Sequence, residues 1–309
     1  MDSHRWHRRL GAFLAVLLVT LLAISIPSVS THVQQQPLRV QLRWLPQAQF
    51  AGFYVAKDHE FFRREGLSVS LEPGGPTVNG LQRLRDGEVD VTIAWTSDAL
   101  DMRREAADLV NVAQLLQRPG TMLVCSAASG VSKAGDLKGK RVGTWFLGDE
   151  FDVGYWLQRY GLGLDSVQLI EQKPAARDLL DGEVDCATAM SYNEFQTILQ
   201  EGALQSDLFT VRFAQENSGF LEDGLYVRAS DLQDPVKRDR LARFLRSLAA
   251  GWRYTARHPD EAVAITERFM DSSNTTHQKA MLREILQLMD LNKGYGLLDP
   301  ATFRRSVEI

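Results

Sequence analysis

Apolar and polar positions along the chain follow two alternating periods. Residues 38–44 (LRVQLRW) and 67–71 (LSVSL) place apolar side chains at every second position, the period of a strand. Residues 50–65 follow the helical period and run into Gly66, which suits the left-handed residue that closes a helix. Gly74-Gly75-Pro76-Thr77 reads as the opening of a further helix, with proline in its first turn, that continues to Arg85. Beyond residue 120 the alternation continues. Strands are predicted over 140–145, 167–170, 209–213 and 224–228, with a helix over 150–160 among them. From Asp234 the chain turns helical, with helices predicted over 236–256, 259–270 and 275–290. Another starts at Asp299-Pro300 and is still running at Ile309, a pattern that leaves room for a longer reading frame.

One pentapeptide, DGEVD, occurs at 86–90 and again at 181–185. Each copy follows a leucine-bearing helical stretch (80–85 and 175–180) and precedes an apolar run (VDVTIAW and VDCATAM) that breaks into polar residues. The glycine ends a helix and the run after it reads as a strand. Each copy is therefore helix, turn, strand and polar loop, and the simplest account is two α/β lobes built alike. Alternating β and α elements predict a mostly parallel, doubly wound sheet flanked by helices in each lobe.

The N-terminus reads as a separate element. A basic stretch (4–9), an apolar run (10–27) and Ser28-Val29-Ser30 with small residues around a possible cut make up the plan of a secretory signal over 1–30. An uncleaved anchor is the alternative, because the run approaches membrane-spanning length. No cysteine follows it, which argues against a lipid anchor. Residues 31–37 form a polar spacer. The expected layout is then 38–121 as the first part of lobe I, 122–229 as lobe II and 230–309 as a helical return to lobe I. Crossings between the lobes are expected near 122–127 and 225–229.

Composition narrows the function. The chain has 309 residues, 44% hydrophobic and 24% charged, with net charge −4 and no basic stripe, which makes nucleic acid an unsuitable partner. Its two cysteines, Cys125 and Cys186, both lie in strand-like apolar runs. An oxidising compartment permits a bond between them, but two buried thiols are the expectation. The four histidines after the signal, His32, His59, His258 and His277, show no metal-ligand spacing, and no G-x-S-x-G, C-x-x-C or H-E-x-x-H is present. Neither enzyme chemistry, a cofactor nor a metal is expected.

In open sheets, ligands meet the carboxyl ends of the strands. There the sequence places Trp44, Trp95 and Trp145, three of its six tryptophans, together with Tyr192. A single ring at such a place usually packs into the core. Four of them beside amides and carboxylates suit a flat polar ring, with Gln47, Gln49, Glu150, Asn193 and Glu222 as its polar contacts. Gly74-Gly75 at a helix start offers an alternative cradle for an anion, although a tight turn is the commoner use of two glycines.

WLPQAQFAGFYVAKDHEFFRREGLSVSLEPGGP (44–76) resembles the thiamine-pyrimidine family, which joins bacterial periplasmic binding proteins for pyrimidine precursors to fungal pyrimidine synthases. DLKGKRVGTWFLGDEF (136–151), MSYNEF (190–195) and GFLEDGLYV (219–227) extend the similarity over most of 38–305. The resemblance implies a two-lobe type II periplasmic-binding-protein fold with a hinged cleft and an ABC importer permease as partner. It further implies a monomeric, periplasmic binding protein that meets the membrane only through the transporter and binds a small pyrimidine. Where the synthase branch carries a lysine for pyridoxal phosphate and a histidine, this chain has Ala94 and Asp98. Where that branch has a cysteine-rich iron motif, it has 218–222 (SGFLE). Alanine forms no Schiff base, so the resemblance points to binding the pyrimidine rather than making it. A sulfonate or nitrate binder, or the sensing part of a membrane receptor, remains an alternative.

Overall fold

The structure, a computed structural model, describes residues 36–105 and 108–308. The expected signal at 1–30 and nearly all of the spacer lie outside the described residues.

Two five-stranded mixed sheets flanked by helices organise the described chain. The first holds β1 (Leu38–Gln41), β2 (Val69–Glu72), β3 (Val91–Ala94), β4 (Leu109–Gln114) and β10 (Gly224–Arg228) in the order β2-β1-β3-β10-β4. The second holds β5 (Thr121–Ser126), β6 (Arg141–Thr144), β7 (Gln168–Glu171), β8 (Cys186–Met190) and β9 (Leu208–Arg212) in the order β7-β6-β8-β5-β9. The two orders are the same topology. In each, one strand runs against the other four: β10 is antiparallel to β3 and β4, and β5 is antiparallel to β8 and β9. These reversed strands are the ones the chain enters on crossing between sheets. It leaves the first sheet after Gln114 and reaches the second at Thr121; it leaves the second after Arg212 and re-enters the first at Gly224. β10 thus belongs wholly to the first sheet, so the second crossing precedes the stretch 225–229.

The repeated DGEVD has a structural role. Asp90 accepts hydrogen bonds from the Arg39 backbone N–H (2.8 Å) and guanidinium (2.9 Å) at the start of β1. Asp185 does the same for Arg141 at the start of β6 (2.9 and 3.1 Å). In both lobes the same Nη2 also donates to the glycine carbonyl of the motif, Gly87 or Gly182. Each copy therefore ties the strand it launches to a parallel neighbour, β3 to β1 and β8 to β6, at the end of the sheet away from the strand carboxyl termini. The guanidinium of Arg141 holds the Asp185 carboxyl below its ordinary range.

Helix α1 (Ala51–Asp58) is the first stretch of the predicted 50–65 helix, and α2 (Phe61–Arg64) is the rest. Between them Glu60 takes a left-handed conformation (φ 59°), and Gly66 closes the unit at φ 70°. α3 (Gly80–Arg85) starts later than the proline signal implies. Asn79 caps it by accepting from the Gln82 N–H, and Gly74 instead packs where a Cβ would lie 2.3 Å from the Leu42 carbonyl oxygen. The double glycine is thus a close approach of loop to strand rather than a helix start. Next come α4 (Thr96–Arg104), α5 (Asp149–Gln158), α6 (Arg177–Leu180), α7 (Glu194–Gln200) and α8 (Ala229–Gln233). The C-terminal helices α9 (Pro235–Arg257), α10 (Pro259–Glu267), α11 (Thr275–Met289) and α12 (Pro300–Glu308) complete the chain. α9 packs against α1 so closely that a Cβ on Gly251 would meet the Gly52 carbonyl at 2.2 Å. Trp252, Phe53 and Phe244 fill the core there.

β5 buries both its faces. Leu123 and Cys125 join one cluster with Val142 and Trp156, while Met122 and Val124 join another with Ala187 and Phe195. That double burial is why the strand reads as an unbroken apolar run. Cys125 and Cys186 stand opposite each other in the antiparallel β5–β8 pair and form a disulfide, which corrects the expectation of two thiols. Two apolar strands 61 residues apart carry no local sign that they pair in that register.

The bond closes a loop of 61 residues, for which chain entropy alone assigns about 4 kcal/mol. Replacing both cysteines with alanine should lower the unfolding free energy in urea by about 2–4 kcal/mol relative to the oxidised protein. An unchanged midpoint would show that the cross-link adds nothing.

Candidate functional site

Equivalent strands of the two lobes deliver the four rings. Trp44 follows β1 and Trp145 follows its counterpart β6; Trp95 follows β3 and Tyr192 follows its counterpart β8. All four line one cavity of about 60 Å3 between the sheets, together with Gln47, Gln49 and Asn193. Trp44 and Trp145 meet edge to face across it, ring centres 5.8 Å apart at 74°. Trp95 and Tyr192 are buried, and Gly120 in the first crossing lies so near the Tyr192 ring that a Cβ there would come within 2.7 Å of it.

Seven of the nine residues picked from the sequence thus meet at one place, and two do not. Glu150 borders a larger neighbouring cavity of about 600 Å3, beside Gly75, Asp98 and Phe146, and its carboxylate accepts from the Gly148 N–H at 3.1 Å. Glu222 is fully buried behind the rings. It accepts from the backbone N–H (2.8 Å) and hydroxyl (2.5 Å) of Thr121, at the start of β5. In the first case the chain neighbour Asp149 lines the inner cavity instead; in the second the neighbour Asp223 stays outside it but bonds two residues that line it, Gln49 and Trp95. A one-residue offset turns a side chain to another face.

Asp149 and Glu194, the first residues of α5 and α7, shape the loops that present the rings. Asp149 accepts from the Trp145 N–H (2.9 Å) and the Thr188 hydroxyl (2.5 Å). Glu194 accepts from the Met190 N–H (2.9 Å) and from the Asn193 amide (2.8 Å). Carboxylates suit the positive end of a helix, and both also border the cavity. Burial raises the Glu194 carboxyl, while these donors oppose the rise. Asn193 is held from the other side by His277 of α11, 3.0 Å from its carbonyl oxygen. Burial lowers the His277 imidazole below its ordinary value, and because Asn193 gives its nitrogen to Glu194 and its oxygen to the ring, Nε2 is the donor.

Arg43, unpicked from the sequence, spans the gap between lobes. It donates to Asp98 (2.7 Å) on its own side and to the Leu147 carbonyl (3.0 Å) on the other, with its guanidinium carbon 4.3 Å from the centre of the Trp95 ring. A cation over an indole contributes about 0.5–2 kcal/mol. Behind the rings, Asp223 accepts from Trp95 Nε1 (3.2 Å) and Gln49 Nε2 (2.7 Å), and Gln49 Oε1 accepts from Gln47 Nε2 (2.6 Å). The walls therefore offer flat apolar faces, one committed cation and a surplus of acceptors. That chemistry suits a small planar ring carrying N–H donors.

The family model described as NMT1/THI5 like matches residues 47–262 of the chain. A Haemophilus influenzae protein named for thiamine biosynthesis is 26% identical over 245 residues, which span 78% of this chain and 74% of that protein. The formylaminopyrimidine-binding protein of Halalkalibacterium halodurans is 23% identical over 265 residues, 84% of this chain and 79% of that one. Among solved structures, the periplasmic aliphatic sulphonate binding protein SsuA of Escherichia coli shares the fold. Its TM-score is 0.62 at 15% identity, covering 82% of this chain and 84% of that chain.

Glu222 carries the clearest electrostatic consequence. Burial pushes its carboxyl up to about 7 against the opposing donors of Thr121 and the Gly120 backbone. The nearby Asp152 carboxyl is raised well above its ordinary value, by burial first and by Glu222 second. A raised carboxyl binds its proton more tightly in the folded chain. The stability it lends is complete below its unfolded pKa of about 4.3 and is lost as pH rises through about 7, an effect on the order of 3 kcal/mol. Urea stability should therefore fall from about pH 5 to about pH 8. Glu222→Gln should flatten that fall, leaving the part due to Asp152 and the other carboxyls that burial raises, Asp98, Glu150, Glu194 and Asp223. A slope unchanged by the substitution would show that Glu222 is ionised throughout.

Proposed function

Since the chain belongs to the NMT1/THI5-like family, we propose that it is the periplasmic solute-binding protein of an ABC importer. Its ligand in this reading is a thiamine pyrimidine precursor, formylaminopyrimidine or hydroxymethylpyrimidine, held between the two lobes. The observation that carries the proposal is the convergence of Trp44, Trp95, Trp145 and Tyr192, from four matched strand ends, on one narrow cavity. Stacked and edge-on contacts with an aromatic guest each add about 0.5–1.5 kcal/mol beyond burial. Acceptors along the wall would pair with the exocyclic amine of an aminopyrimidine, and an analogue lacking that amine would leave them unpaired. The relative named as a formylaminopyrimidine-binding protein supports the same ligand class.

In this reading the lobes close by bending at the two crossings, 115–120 and 213–223. Differential affinity for the closed form reports occupancy to the permease. The protein binds and releases without turnover. Ala94 supplies no amine for a Schiff base, and Asp98, at the other position that departs from the synthases, is paired with Arg43.

A sulfonate-type anion is the second reading, favoured by Arg43 in the cavity wall and by the likeness in fold to SsuA. Against it, Arg43 is already bonded to Asp98 and Leu147, and Asp149 and Glu194 would repel an anion. Calorimetry with hydroxymethylpyrimidine, formylaminopyrimidine and taurine separates the two. The pyrimidines should bind at about micromolar Kd or tighter, and Trp145→Ala should weaken them at least about tenfold. Binding of taurine with no heat from either pyrimidine at millimolar concentration would reverse the assignment.

A further inference from the structure

Asp223 does not border the cavity, yet it holds two residues that do. It is the last residue of the second crossing, 2% exposed, with a left-handed backbone (φ 43°). Its two carboxylate oxygens take one donor each. Oδ1 accepts from the Trp95 indole, which can only donate, and Oδ2 accepts from the Gln49 amide nitrogen. Gln49 must then turn its carbonyl to Gln47, and Gln47 answers with its amide nitrogen. All three partners are buried, so no bulk water is present to absorb a misdirected amide. The consequence reaches the ligand side: Gln47, which lines the cavity, gives one N–H to Gln49 and so keeps its carbonyl oxygen, beside its second N–H, for a guest.

Resting on the pyrimidine-binding reading above, we infer that Asp223 is a specificity-determining positioning residue. Through the Gln49–Gln47 relay it sets the polarity of the cavity wall, so that the site selects a ring bearing an exocyclic amine over the same ring bearing an oxo group. The amine donates to the Gln47 carbonyl, whereas an oxo group would leave that carbonyl, and the acid acceptors across from it, without a donor. Asp149 and Glu194 on the opposite lobe are acceptors as well, and Glu194 orients Asn193 in the same way that Asp223 orients Gln49.

Asp223→Asn makes the relay reversible. Trp95 Nε1 still demands an acceptor, so the new amide turns its oxygen to the indole and its nitrogen to Gln49. Gln49 then flips, Gln47 follows, and an N–H edge replaces the carbonyl at the wall. The test is calorimetry of the full chain and of Asp223→Asn with hydroxymethylpyrimidine, which carries a 4-amino group, and with its 4-oxo counterpart. The parent should favour the amino ring by at least about tenfold. In Asp223→Asn that ratio should fall at least about tenfold, with the amino ring losing affinity while the oxo ring keeps or gains it. Equal weakening of both ligands would mean that Asp223 only supports the hinge, and would overturn the inference, as would an unchanged ratio. Should Asp223→Asn not fold, Gln47→Leu removes the same acceptor without touching the crossing. It should erase the amino preference, and a preference that survives would overturn the inference. Failure of the parent to bind either ring would instead reject the pyrimidine reading itself, and the inference with it.

Discussion

Two consecutive buried carboxylates, Glu222 and Asp223, stand at the mechanical centre of the molecule. The backbone turns left-handed at Asp223 (φ 43°), and the two side chains leave the crossing toward different lobes. Glu222 reaches Thr121 at the start of the second sheet's reversed strand, while Asp223 reaches Gln49 and Trp95 in the first lobe. Each carboxylate is costly to bury without donors, and each is supplied with them by the lobe it faces. The segment just before them is tied down as well, since Phe220 donates its N–H to Asp152 of α5. One short stretch of chain therefore sets the separation and orientation of both lobes, and the rims carrying the rings inherit that register.

The rest of the site follows from duplication. The sheets share one strand order, and in each an arginine at the start of β1 or its counterpart β6 is clamped by the last aspartate of DGEVD. That clamp works at the end of the sheet remote from the ligand side. Its partner features at the other end are the aromatic residues after β1 and β6 and after β3 and β8. A frame built twice places its loops twice, and lobes that face each other bring those loops to a single gap. The lobes diverge in how the loops are held. In lobe II, acids at the starts of α5 and α7 fold back onto the preceding loops, whereas in lobe I the same task falls to Arg43 and Asp223.

Local patterning carried most of the elements, because burial on one or two faces of a strand and one face of a helix is written directly in the order of apolar residues. It failed where a tertiary contact overrode a local cue. Gly74-Gly75-Pro76 has the composition of a helix start but serves to let the loop lie against the Leu42 carbonyl. Cys125 and Cys186 have the surroundings of inert core thiols, and only the antiparallel pairing of β5 with β8 makes them partners. Glu150 and Glu222 each stand one residue from a carboxylate that meets the inner site, Asp149 directly and Asp223 through Gln49 and Trp95, because helix phase and crossing geometry are invisible to spacing alone.

By itself, then, the sequence determined that this chain is two similar α/β lobes with aromatic residues at the carboxyl ends of matched strands, since those features are periodicities and repeats carried by neighbouring residues. Only the tertiary structure decided which polar groups join the rings, which carboxylates serve as fasteners, and which way the amides of Gln47, Gln49 and Asn193 point. Those outcomes depend on donors and acceptors that lie 84 to 174 residues away along the chain, His277 for Asn193 and Asp223 for Gln49. A hydrogen bond is settled by distance and direction in space, and neither quantity exists until the lobes have folded and met.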